Sequence, residues 1–219
     1  MELCIGDLMN FMFMHGPIDD ERLLRGLMVQ ILMGVKALHT VAEHAHLDIK
    51  PDNILIGHDG LLKIADMGHA MPASMDITEA LGTEGYQAPE LLVAIAEGKS
   101  YQPIKADIFS LGVVFFTLKF ACWPFDQAIP TDTNYRHMYG RPNIFWRFGQ
   151  RTRNFTKERP DLLESDFINL LTTMLTPDLN ERPKSVNHVL KHPYFNNYNE
   201  TDIAYSSDKL KSMPECNSK

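Results

Sequence analysis

Cysteine, positive charge and long apolar runs are all scarce in these 219 residues. Cys4, Cys122 and Cys216 are too few and too scattered for a disulfide framework or a cysteine-built zinc site, which excludes a small stapled secreted domain. Reduced thiols in a cytosolic (cytoplasmic) or nuclear compartment are the simpler expectation. The 21 Lys and Arg face 28 Asp and Glu, so the basic footprint of a nucleic-acid-binding protein is missing and no nucleic-acid partner is expected. The most apolar internal run, Ile108 to Leu118, is closed by Asp107 and Lys119. It falls short of the roughly 20 residues a bilayer crossing needs and reads as a buried helix, so no membrane partner is expected either. The first residues, MELCIGDLMNFMFM, have no basic leader and carry Glu2 and Asp7 inside their apolar part, unlike a secretory signal. Without such a signal, the glycosylation-type tripeptides Asn154-Phe155-Thr156 and Asn199-Glu200-Thr201 carry no meaning.

Helical periodicity dominates what is there. After the break at Gly16-Pro17, Asp19 and Asp20 are good helix-start residues. Leu24, Leu27, Met28, Ile31, Val35 and Leu38 then recur at spacings of three and four, predicting an amphipathic helix that ends between His39 and Glu43. Two short aliphatic runs follow, 53–56 and 61–66, joined by Gly57-His58-Asp59-Gly60, which favours a tight hairpin turn. Residues 67–85 are small, polar and aperiodic, the pattern of a long functional loop. Helices are predicted over 87–97, 106–121, 165–175 and 184–191. The segment 126–159 reads as less regular, and the polar residues from about 197 as a frayed, flexible tail.

Between the first long helix and the hairpin stands His46-Leu47-Asp48-Ile49-Lys50-Pro51-Asp52-Asn53, and Asp66-Met67-Gly68 follows the second hairpin strand. Taken singly, these polar residues are ordinary turn formers or strand caps. Taken in this order and spacing they resemble the catalytic loop and the metal-binding element of eukaryotic protein kinases. GTEGYQAPE (82–90) is similar to the end of a kinase activation segment, and DIFSLG (107–112) to the buried helix after it. ERP (181–183) and HPYF (192–195) match the last helices of the lobe. The resemblance covers residues 1–196. It implies a mainly α fold, the C-terminal lobe with its hinge, in which a small β-hairpin carries the catalytic and metal-binding loops. Residues 197–219 lie outside it.

The resemblance implies a serine/threonine protein kinase that moves the γ-phosphate of ATP to a protein hydroxyl, using Mg2+. Asp48 would accept the substrate hydroxyl's hydrogen bond and take its proton, while Lys50 would offset charge at the γ-phosphate. Asn53 and Asp66 would hold metal, and Thr83 would bond Asp48 and Lys50. Lys50 and the Gly82-Thr83 pair resemble the serine/threonine type rather than the tyrosine type. For the nucleotide, Glu2 and Cys4 would meet adenine, Asp7 the ribose, and Leu55 would complete the set, with Met1 at the gatekeeper position. His46 and Met67 would pack in the hydrophobic stack, Glu90 would pair with Arg182, and Asp107 would brace the catalytic loop. Asp7 and Asp52 occupy positions that can favour basic residues before the target hydroxyl, whereas Thr117 stands where basic-directed kinases often carry an acid. NIFW (143–146) together with HPYF resembles the calcium/calmodulin-dependent group.

Departures from the pattern matter as well. Leu47 stands where an arginine usually reads a phosphate on the activation loop, which leaves Ser74 and Thr78 as ordinary loop residues. No glycine-rich phosphate loop, strand lysine or partner helix glutamate appears in these residues. Two function classes therefore stand. One is a serine/threonine kinase represented without its N-terminal lobe, whose activity on its own would be low. The other is a catalytically inactive, kinase-derived binding or scaffold module. In both, apolar residues such as Leu8 and Leu55 are expected on an exposed nucleotide face that a partner would cover.

Overall fold

The computed structural model describes residues 3–149, 151–152, 157, 161 and 165–212, apart from the side chain of Ile95. It is about 54% helical with few strands. The chain enters through β1 (Cys4–Asp7) and α1 (Leu8–His15), then runs along α2 (Glu21–Thr40). Short strands follow: β2 (His44–Ala45), β3 (Ile54–Gly57), β4 (Leu62–Ile64) and β5 (Met71–Pro72). The remainder is helical: α3 (Pro89–Glu97), α4 (Pro103–Phe120), α5 (Thr133–Gly140), α6 (Pro142–Phe148), α7 (Asp166–Met174), α8 (Val186–Leu190) and α9 (Glu200–Lys211).

Helix α4 is apolar on every side, the pattern of a helix with no solvent face, and it is buried from Ala106 to Phe120. Its Phe116 and Phe120 rings stack with Trp146 of α6, and Phe120 also meets Phe167 of α7. Thr117, which stands where basic-directed kinases often carry an acid, lies in this core, where its hydroxyl donates to the Val113 carbonyl at 2.7 Å. Among the described residues no helix is long and apolar enough to cross a membrane. The apolar run of α4 is spent on the core instead.

Helix α2 begins where expected. The Asp20 carboxylate accepts the amides of Arg22 and Leu23 at 2.9 and 3.0 Å, satisfying two orphan donors of the first turn. Leu24, Leu27, Met28, Ile31 and Val35 are buried along one stripe. Strands β3 and β4 pair antiparallel with Ile54 opposite Ile64 and Ile56 opposite Leu62, and Gly60 takes φ 73° in their turn. β1 adds a third strand on the other side of β3, setting Asp7 opposite Leu55. β2 and β5 form a separate two-stranded pairing.

Four expectations need correction. The segment 126–159 contains α5 and α6, both capped or started by their own residues: Asp132 accepts the Tyr135 amide at 2.9 Å, and Pro142 opens α6. The tail is not frayed over 200–211. Asn199 and Asp202 form a capping box that starts α9, and α9 lies against α2. Apart from Leu210 and Ile203 its inward residues are polar, which hides the contact from a hydrophobic pattern. Buried Asp202 takes Arg22 and Arg25 at 3.1 and 3.3 Å, and the buried Gln30 amide donates to Ser206 at 2.8 Å. Leu8 is fully buried, not exposed, because α1 turns it inward; the outward residues of α1 are Phe13 and Met14. Met67, expected in a packed stack, is 44% exposed.

The α2–α9 contact is close enough to demand a glycine. A Cβ on Gly26 would stand 2.3 Å from the Asp202 carbonyl oxygen, a backbone atom that cannot swing aside. Gly26→Val is therefore expected to push α9 off α2, at a cost of about 1–3 kcal/mol for overpacking. Urea denaturation would read the loss, and amide exchange should quicken across 200–211 ahead of the rest of the chain. Unchanged exchange in α9 would contradict the account.

Candidate active site

The catalytic-loop residues are held from below by one buried carboxylate. Asp107, on α4 and fully buried, accepts the backbone amides of His46 and Leu47 at 2.7 and 2.8 Å. His39 of α2 reaches the same carboxylate at 2.8 Å. The bracing expected of Asp107 is present. It holds Leu47 at φ 62°, a left-handed conformation that a non-glycine residue adopts only when its surroundings enforce it. His46 is buried beneath the loop, its Nε2 within 2.8 Å of the Ala65 carbonyl. Since the Asp48 amide donates to His46 Nδ1 at 3.2 Å, the ring carries its proton on Nε2 and donates to Ala65. This single histidine ties the catalytic loop to the residue before Asp66.

Above that support Asp48 is the centre of a short network. Thr83 Oγ1 donates to its Oδ1 at 2.7 Å, and Lys50 Nζ donates to Thr83 at 2.6 Å while lying 3.0 Å from Asp48 Oδ2. The Asn53 amide donates to the Asp48 carbonyl at 2.9 Å and to Oδ2 at 3.0 Å. Its NH2 thus spent, Asn53 keeps its amide oxygen for another partner. Burial by itself would raise the Asp48 carboxyl. The hydrogen bonds from Thr83 and Lys50, the Lys50 charge and the Asn53 bond outweigh it and hold Asp48 below its ordinary value.

Asp66 sits at the end of the hairpin at φ 61°, exposed, with Oδ1 accepting the Gly68 amide at 3.2 Å. Its other carboxylate oxygen has no partner among the described residues. Among the described residues no group of three His, Cys, Asp or Glu gathers as a metal cluster. One amide oxygen and one carboxylate oxygen do suit magnesium, which takes few protein oxygens and keeps the rest of its shell for phosphate and water.

The nucleotide candidates divide. Glu2 lies outside the described residues. Cys4, Asp7 and Leu55 converge on the β1–β3 pairing, and Cys4 is a free, half-buried thiol. Asp7 has both carboxylate oxygens in local use, accepting the Asn10 amide at 2.8 Å and its side chain at 2.7 Å as the cap of α1.

The segment 82–90 docks against the loop through backbone as well as Thr83. Gly82 takes φ 90°, and a Cβ there would stand 2.2 Å from the Leu47 carbonyl, so no larger residue fits. Gln87, not singled out from sequence, donates to the carbonyls of Leu81 and Gly82 at 3.2 Å each and fixes this approach. Leu47 itself packs with Leu81, Ala88 and Leu91 around a small apolar hollow, so the position that elsewhere holds an arginine serves the core here. His69 was also missed. Its Nδ1 lies 3.8 Å from Asp48 Oδ2, and only its place one residue after Asp66-Met67-Gly68 could have flagged it. Farther down, Arg182 meets Glu90 through both guanidinium nitrogens, one at 3.0 Å, and stacks 5.0 Å above the Phe109 ring.

Removing the Thr83 hydroxyl should be visible as a titration change. In Thr83→Val the Asp48 carboxyl loses a donor but stays buried, so its pKa should rise. A group depressed in the folded state contributes stability above its unfolded value, near 4, and loses it as pH falls through the folded value. The variant's stability deficit should therefore be largest at neutral pH and shrink under acid conditions. Carbon-detected NMR of labelled aspartates would follow the titration, and an unshifted Asp48 would refute the network as drawn.

Comparison with known proteins agrees with this geometry. The protein kinase domain family matches residues 1–195. A probable serine/threonine-protein kinase of Dictyostelium discoideum is 28% identical over 212 residues, covering 95% of this chain and 23% of that protein. The serine/threonine-protein kinase GIN4 of Saccharomyces cerevisiae is 30% identical over 195 residues, 88% of this chain and 16% of its own length. The maternal embryonic leucine zipper kinase of Xenopus tropicalis is 31% identical over 199 residues, 89% of this chain and 27% of its own. The chain thus spans about a quarter or less of each of these relatives. With a match that runs from the first strand through the last short helical turn at Pro193–Phe195, the chain belongs to the protein kinase domain family, among the serine/threonine kinases.

Proposed function

We propose that this chain supplies the catalytic-loop half of a serine/threonine kinase site, transferring the γ-phosphate of ATP to a hydroxyl on a protein substrate. The observation that carries the reading is the Asp48–Lys50–Thr83–Asn53 network, in which a buried carboxylate is held ionised by hydrogen-bond donors. As the substrate oxygen bonds the γ-phosphorus, the bond from phosphorus to the β–γ bridging oxygen breaks and ADP leaves with that electron pair. Asp48 orients the hydroxyl and takes its proton. Lys50 sits where negative charge grows on the transferred group, so its cation stabilises the transition state more than the ground state. Asn53 and Asp66 would hold magnesium, which when bound neutralises charge on the β- and γ-phosphates. Adenine would lie by Cys4, with Leu55 on the adjoining strand.

Transfer also calls for groups that clamp the phosphates from the other side, and none is recognisable in these residues. The exposed side chains of Leu3 and Met67 support a second segment or partner covering this face. The 219-residue chain assayed alone is expected to transfer phosphate slowly, and faster when such a cover is supplied in the same polypeptide.

Asp48→Asn should lower transfer by at least a hundredfold, within the range general-base removal costs, about 10²–10⁴, while leaving Mg–ATP binding within a few-fold. Asp66→Asn should instead weaken Mg–ATP binding, read by calorimetry without any turnover. Full transfer by Asp48→Asn would remove the reading. Indifference of nucleotide binding to Asp66→Asn would remove its metal assignment.

A further inference from the structure

The 25 residues from Thr133 to Lys157 hold six Lys and Arg and no Asp or Glu, whereas the rest of the chain carries 15 Lys and Arg against 28 Asp and Glu. Five of those six cations are arginines. Arg136 on α5, Arg141 at the junction and Arg147 on α6 are exposed, and none of their guanidinium groups makes an ion pair or hydrogen bond among the described residues. Arg151 differs, being paired with Asp126 at 2.8 Å. Two exposed aromatics accompany the free arginines: Tyr139 at 41% and Phe148 at 72%. Three exposed arginines and two exposed rings on a pair of helices that pack together have the composition of an interface, where Arg and aromatic residues are enriched.

We propose that the α5–α6 surface docks an acidic segment of a protein partner, with Arg136, Arg141 and Arg147 taking its carboxylates and Tyr139 and Phe148 its apolar side chains. Guanidinium forks match carboxylates two oxygens at a time, which a lysine surface cannot do. Arg136 and Arg147 sit on two helices that pack against each other across the break at Arg141; even laid end to end at 1.5 Å per residue the stretch between them covers only about 17 Å, a reach that about five or six extended residues cover at 3.3 Å each. A short acidic segment feels mainly the local arginines, because charges beyond about 8–10 Å are screened. A nucleic acid or a membrane sheet extends past the patch and meets the acidic remainder of the molecule, which repels it.

The surface adjoins the candidate active site. Asp132, which caps α5, also accepts the amides of Asp126 and Gln127 at 2.9 and 3.3 Å. A Cβ on Gly85 would touch the Asp126 carbonyl at 3.6 Å. Gln127 and Ala128 line a cleft of about 260 Å³ together with Glu84, Gly85 and Gln87.

The test is fluorescence anisotropy on the 219-residue chain without nucleotide, so its outcome does not depend on phosphoryl transfer. The probe is a fluorescein-labelled hexapeptide of five glutamates and one phenylalanine. Its competitors are a lysine peptide of equal length, a 20-nucleotide single strand and phosphatidylserine vesicles. Saturable binding of the acidic peptide, weakened several-fold between 50 and 300 mM salt and at least tenfold by R136E/R141E/R147E, is expected. Tyr139→Ala with Phe148→Ala should weaken it a few-fold further at high salt. Should the charge reversal disturb folding, seen by circular dichroism and thermal melting, R136Q/R141Q/R147Q is expected to lose at least fivefold. Absence of saturable binding, equal binding by the glutamine variant, or preference for the single strand or the vesicles would each overturn the proposal.

Discussion

One carboxylate, buried in the middle of the helical core, fixes the backbone of the loop that carries Asp48, Lys50 and Asn53. Asp107 spends both oxygens on consecutive amides of the loop, with His39 as its third partner. Burying a carboxylate is costly unless its hydrogen-bonding capacity is met, and here three donors meet it. The same bonds hold Leu47 at positive φ, and that kink sets the direction in which Asp48 leaves the loop. Removing the carboxylate would strand two buried amides and release the strained residue together, so this position couples stability to geometry.

The second layer of constraint is the approach of the 82–90 segment. Gly82 rests on the Leu47 carbonyl, Thr83 bonds Asp48 and Lys50, and Glu90 is anchored far below by Arg182. These contacts form a path from the Glu90–Arg182 ion pair to the Asp48 carboxylate. Leu47 belongs to the same path through its packing with Leu81, Ala88 and Leu91. An apolar contact thus connects loop and segment at the position where a charge could have been regulated by phosphate. In this chain the coupling is built from packing and a hydroxyl, and neither requires a modified residue.

Much of this could be read from residue order because the signals were local and periodic. The α2 stripe, the Asp59-Gly60 turn and the all-apolar α4 each announce themselves within a few residues. So does the polar spacing from Asp48 to Asn53. What escaped shares a different property. Helix α9 buries Asp202, Ser206 and Ser207 through hydrogen bonds with α2, so its inward face looks like a solvated tail in a hydrophobic pattern. Helices α5 and α6 are short and rich in aromatics and arginine, which blurs their periodicity. Leu8 and Met67 were misjudged for a geometric reason: the turn of α1 and the outward course of residues 66–69 decide which way each points. Gln87 and His69 act through contacts with residues 5 and 21 positions away, which spacing rules do not encode.

The site is therefore unevenly built. The proposed acid–base side, Asp48 with Lys50, Thr83 and Asn53, is buried or half-buried, cross-bonded and supported by a core carboxylate, which is the preorganisation that electrostatic catalysis requires. The metal side is different: Asp66 is exposed and carries a single local hydrogen bond, and Met67 beside it is open to solvent. A carboxylate in that condition is free to reorient and is solvated by water that a phosphate-bound cation would have to displace. Ordering it takes a contact from above, whether from nucleotide, metal or a covering segment. The Asp48 carboxylate needs no such contact, because Thr83, Lys50 and Asn53 already hold it. On the proposed reading, that difference leaves the nucleotide side as the half that depends on a contact from above, while the Asp48 side is held by the core alone.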